Sequence, residues 1–163
     1  MNVVFLDIDG VLNNSETNAL TPMGFTGISN GLLKRLAHLV KETNSVVVLS
    51  SSWKDEWSPN PMKRTVDGDY LQRKLNQVGI QIADKIDEST TGSSHRGAAI
   101  KLYLDKYPSI QNYVVLDDLE FDFADYEEVQ NHFVQTDASV GLTKEKVYEA
   151  LAIMQIEKEI EKE

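Results

Sequence analysis

Short apolar runs alternate with helical stripes along the chain. Val3 to Leu6, Val46 to Leu49 and Tyr113 to Leu116 contain no polar position. Runs of that length without alternation predict strands buried on both faces. Residues 80–82 and 132–135 predict two weaker strands. Leu32, Leu33, Leu36, Leu39 and Val40 recur at helical spacing behind Ser29 or Asn30, either of which can cap a helix. Leu71, Leu75 and Val78 predict a second helix that Gly79 stops. Ile100, Tyr103, Leu104 and Tyr107 predict a third over 97–107, with Pro108 beyond its end. A last helix begins at Thr143 and turns Val147, Ala150, Leu151 and Met154 inward. The stretch with Pro22, Gly24 and Gly27, and the Pro-rich stretch 58–62, read as loops. Helices between strands, without hairpin signals, predict an α/β fold: a mostly parallel central sheet with helices on both faces.

Three of these strands end in polar residues that can carry chemistry. The first runs into Asp7-Ile8-Asp9-Gly10, the second into Ser50 and Ser51, and the third into Asp117 and Asp118. In a parallel sheet these ends share one edge, the edge where open α/β sheets place ligands. Residues far apart in sequence are therefore expected to converge. An aspartate-capped turn is the bland alternative for Asp7 and Asp9. A calcium loop is excluded, since Gly10 stands at loop position four and Asn18 where a glutamate is required.

Composition narrows the function classes. The 163 residues are 41% hydrophobic and 26% charged, which suits a soluble globular protein with one sizeable core. A single domain over 1–163 is expected. With no cysteine there is no disulfide framework and no thiolate metal site. No apolar run reaches membrane-spanning length and no leader precedes the first strand, so cytoplasmic residence and no membrane partner are expected. The net charge of −10 argues against strong nucleic-acid binding. Part of it comes from the Glu- and Lys-rich tail 157–163, expected to be the solvated end of the last helix. A monomer or weak dimer is expected.

Carboxylates gathered on one edge would raise each other's pKa unless a cation joined them. Magnesium suits such an all-oxygen set and a phosphate substrate. A carboxylate can then attack a phosphoryl group. A second aspartate two residues on can protonate the leaving oxygen and later deprotonate water. Ser50 and nearby backbone N–H groups can hold phosphoryl oxygens. Arg96, at the start of a helix, can reach the same edge and balance charge on the transferring group.

On these residues the chain resembles the haloacid dehalogenase (HAD) superfamily over nearly its whole length. The resemblance implies a three-layer Rossmann-like fold with a minimal cap, the segments 12–30 and 53–67 being short. It implies a phosphatase with Asp7 as nucleophile and metal ligand. Asp9 would be the acid/base and lend a backbone carbonyl to the metal. The second motif falls on Ser50, with Ser51 as alternative. The third falls on Arg96-Gly97, with Lys101 as runner-up. The fourth falls on Asp117-Asp118, either being the principal ligand, with Asp122 a possible partner. The stretch Leu49 to Lys54, with Arg96-Gly97 and Asp117-Asp118, is similar to HAD domains of RNA-repair proteins. The expected substrate is a phosphorylated small molecule, or a nucleotide or oligonucleotide end. Gly10, Ser51, Asn13, Trp53 and Lys54 are candidates for touching it. Trp53 and Trp57 either stack on an aromatic leaving group or pack beneath a loop. Lys54, Lys63 and Arg64 either bind a second phosphate or form a solvated face. His95 can reach substrate, whereas His38 and His132 are structural. A fold that has lost its chemistry and only binds is the non-enzymatic alternative.

Overall fold

The structure, a computed structural model, describes residues 1–162, with side chains described through 155. Five parallel strands lie in the order β3-β2-β1-β4-β5. They are β1 (Asn2–Leu6), β2 (Ser45–Leu49), β3 (Ile82–Lys85), β4 (Asn112–Asp117) and β5 (Phe133–Gln135). The helices are α1 (Asn30–Thr43), α2 (Val66–Gln77), α3 (Arg96–Lys106), α4 (Glu127–Asn131) and α5 (Lys144–Lys162).

The apolar runs became strands because both faces are covered. Val4 and Leu6, with Val114 and Leu116, pack against Leu33, Leu36, Leu71, Leu75, Val147 and Met154 of α1, α2 and α5. Their neighbours Val3, Phe5, Tyr113 and Val115 pack on the other face with Ala99, Ile100 and Val129 of α3 and α4. Successive side chains of a strand point to opposite faces, so each run feeds two cores. Ser29 caps α1, its hydroxyl accepting from Leu32 N. Thr143 does the same for α5 through Lys146 N. The tail 157–163 lies outside the residues described at side-chain level. Among the described residues no helix is long and apolar enough to cross a membrane.

The third strand departs from expectation. It starts at Ile82 rather than Ile80 and carries a register shift opposite Val47 and Val48. Ile80 is buried in the turn that leaves α2, its N–H donating to Leu75 O. The strand proper is polar because it is held by specific bonds. Asp84 accepts from the Tyr103 hydroxyl. Lys85 Nζ donates to Lys54 O and Trp57 O. The third helix opens at Arg96, as expected, and ends at Lys106.

Sheet order brings the polar strand ends together. β1 lies between β2 and β4 in matched register, Leu6 facing both Leu49 and Leu116. The ladder runs on past the strands: Asp7 N donates to Leu116 O and Ser50 N to Leu6 O. Asp7, Ser50 and Asp117 are therefore adjacent by construction.

Candidate active site

Asp7, Asp117 and Asp118 each present a carboxylate oxygen, and these oxygens lie within 4.8 Å of one another. Asp7 and Asp117 are buried and Asp118 is half-buried. Gly10 makes room for Asp118. It sits at φ +83°, and a Cβ there would come within 2.5 Å of Asp118 Oδ2. Burial is the main cause that pushes the Asp7 carboxyl well above the ordinary value; the charge of Asp117 adds to it, and Arg96 opposes. Burial likewise pushes Asp117 up to about 6, against the lowering by Arg96 and by the Leu119 N–H. Three acids held this close relieve their repulsion either by keeping protons or by sharing a cation. The donor set is all oxygen and partly open, which fits magnesium.

Arg96 is the resident countercharge. Its Nη1 donates to Asp117 Oδ2 at 2.7 Å and stands 3.6 Å from Asp7 Oδ1. The Phe121 ring lies 4.3 Å from the guanidinium carbon. Phe121 takes a φ of 44°. That conformation is strained for a bulky residue, and such strain is found at functional sites. Gly97 lets the next turn approach: a Cβ there would meet Asp122 Oδ1 at 2.7 Å. Asp122 accepts from the N–H groups of Gly97 and Ala98. It thus caps α3 and fixes Arg96, and its carboxylate is not one of the three clustered acids. Lys101, the runner-up for the cation, pairs instead with Asp105 on the helix surface.

The two serines after β2 differ. Ser51 accepts from Trp53 N and caps the short 3-10 turn over Ser52–Asp55. The Ser50 hydroxyl is fully buried and has no hydrogen-bond partner among the described residues. An orphaned hydroxyl beside Asp7 is one that a ligand oxygen can satisfy.

Asp9 points elsewhere. Its carboxylate is exposed, accepting from Asn13 Nδ2 at 2.8 Å and from the Trp53 indole N–H at 3.2 Å. Asn13 is buried and its Oδ1 accepts from Gly10 N, so one amide locks both the turn and the acid. Asp9 opens onto a 530 Å³ cleft between the segment after β1 and the Ser52–Asp55 turn. Trp53 is 7% exposed and offers this cleft an edge. Trp57 is buried with its N–H on Gln72, which fits packing beneath the loop.

Lys54 does not stand free for a second phosphate. Its Nζ lies 3.2 Å from Glu88 Oε1, and the same oxygen is 3.9 Å from Arg96 Nε. Glu88 stands beside Lys54 and Arg96, a neighbour of the candidate site that sequence reasoning missed. Its side chain is 5% exposed and neither oxygen has a hydrogen-bond partner among the described residues. Only its position after β3 marked it, and the misplaced strand hid that. His95 is exposed and contacts Ser94. Arg64 rests over Trp57, and Lys63 is exposed. His38 is exposed on α1, and buried His132 stacks on Tyr113.

The model of a family described as "HAD domain in Swiss Army Knife RNA repair proteins" matches residues 3–147. No curated protein matches the chain.

Proposed function

Because the chain belongs to that family of HAD domains, we propose that it hydrolyses phosphate monoesters through an aspartyl-phosphate on Asp7. The observation that carries this reading is the gathering of carboxylate oxygens of Asp7, Asp117 and Asp118 within 4.8 Å, beside Arg96 and a Ser50 hydroxyl unpartnered among the described residues. An Asp7 carboxylate oxygen attacks phosphorus, and the bond from phosphorus to the ester oxygen breaks. Asp9, on the cleft side, gives that leaving oxygen its proton. Asp9 then takes a proton from water, which attacks the phosphoryl group and releases phosphate with Asp7 restored. Ser50 donates to a phosphoryl oxygen, and Arg96 balances the charge that gathers there. Asp7, Asp117 and Asp118 would hold magnesium, which would screen the nucleophile from the phosphate dianion.

Asp7→Asn tests the assignment. Hydrolysis of an aryl phosphate should fall by a factor on the order of 10⁴ or more, with circular dichroism unchanged. Wild-type activity in a folded variant rejects the reading.

The family's description favours a narrower version, in which the phosphate stands at the end of a nucleic acid. Nucleotide and oligonucleotide ends should then be turned over faster than sugar phosphates.

A further inference from the structure

The acid that serves the leaving oxygen opens onto a cleft whose walls are apolar and acidic. Phe25 and Met23 line it, 67% and 65% exposed, with Trp53 at its inner edge. Both stand on one loop and give the cleft an exposed apolar wall. The loop is tied on several sides. Thr21 N donates to Phe25 O, and Phe25 N donates to the Thr21 hydroxyl. Met23 N donates to the buried Asp67 carboxylate, and Ile28 N to the Tyr70 hydroxyl. The backbone beneath the apolar tips is thus held in place.

The charges in the cleft are of one sign. Asp9, Glu56 and Asp67 line it, and among the described residues no lysine or arginine does. Those carboxylates accept hydrogen bonds from amino and hydroxyl groups and repel a further phosphate. The volume of 530 Å³ falls within the ~300–1,000 Å³ range of small-molecule pockets. We propose that this cleft holds the terminal nucleoside of the leaving group, its base against Phe25 and Met23, and disfavours a second phosphate placed within it. The enzyme therefore reads the terminal nucleoside and not the strand behind it. This rests on the assignment of Asp7 and Asp9 above.

The test has a kinetic arm and a binding arm. In the kinetic arm, kcat/KM is measured for adenosine monophosphates, adenosine 3′,5′-bisphosphate, a phosphorylated oligoadenylate and glycerol phosphate. The monophosphate should exceed glycerol phosphate roughly tenfold or more, as base stacking allows. The bisphosphate should fall below the monophosphate about tenfold, and the oligomer should not exceed it. Phe25→Ala should bring the ratio of adenosine monophosphate to glycerol phosphate toward one. Glu56→Lys, which reverses one wall charge, should raise the ratio of bisphosphate to monophosphate. In the binding arm, unphosphorylated adenosine is titrated while the Met23 methyl resonance is followed. A shift that Phe25→Ala reduces supports the cleft even if no ester is hydrolysed, in which case only the hydrolytic reading fails. Equal use of glycerol and adenosine esters, preference for the bisphosphate or oligomer, or an unmoved Met23 signal overturns the proposal.

Discussion

Asp7, Asp117 and Arg96 stand on strand ends and a helix start, all less than a tenth exposed, whereas Met23 and Phe25 stand on a loop, about two-thirds exposed. Asp117 and Arg96 are each held from more than one direction. Asp117 takes Arg96 on one oxygen and Leu119 N on the other. Arg96 is held by Asp117, Glu88 and the Phe121 ring. On the second side only the backbone is fixed, and the apolar tips face outward. Groups that move phosphorus need fixed geometry, and rigid elements supply it. Groups that select a leaving group need only a surface, and loops can vary that surface without disturbing the sheet.

The difference can be pressed hardest at Arg96. Arg96→Ala removes the countercharge of the transferring group, and kcat should fall on the order of a hundredfold to a thousandfold. Steady-state kinetics with magnesium in excess check this; a rise in KM with kcat unchanged would mean that Arg96 only binds. Glu88 acts one step back, through Arg96 and Lys54. Glu88→Gln keeps its size and removes its charge, so kcat should drop about tenfold with KM nearly unchanged. If instead the melting temperature falls and kcat holds, Glu88 is a structural counterion only.

A smaller effect lies in the pH dependence of stability. Burial holds Asp117 at about 6 in the fold against an ordinary 3.8, and Asp7 is raised as well. A carboxyl raised on folding resists ionisation there, so its contribution to stability is complete below the ordinary value. It is lost as pH climbs through the folded value. A bound cation reverses the penalty by favouring the ionised form. The rise in melting temperature on adding magnesium should therefore be clear at about pH 8 and should shrink toward about pH 5. An equal rise at both would place the cation away from Asp7 and Asp117.

Much of this was legible in the chain. Both faces of β1, β2 and β4 are buried, so their runs lack polar residues, and the first polar residue after each run marks the site edge. That rule picks out Asp7, Ser50 and Asp117, which the sheet order brings together. The polar β3 gave no such mark, since Asp84 and Lys85 are held by a tyrosine hydroxyl and two carbonyls from distant segments. With that strand displaced, Glu88 could not be seen at the rim. Asp122 entered only as a possible partner of the acidic pair, and its bonds to Gly97 N and Ala98 N, about 25 residues back in the chain, appear only in three dimensions. The apolar tips Met23 and Phe25 sat in a stretch rich in turn residues, where two isolated hydrophobics carry no period. Their exposure became visible only in three dimensions.

The proposed mechanism stands or falls on the passage of phosphorus through Asp7. Acid quench of the enzyme during steady turnover with magnesium, followed by peptide mass analysis, would trap that intermediate. The peptide bearing Asp7 should carry the mass of one phosphoryl group, lost on treatment with hydroxylamine. Turnover with that peptide unmodified, or with the phosphoryl group on another residue, would rule the mechanism out.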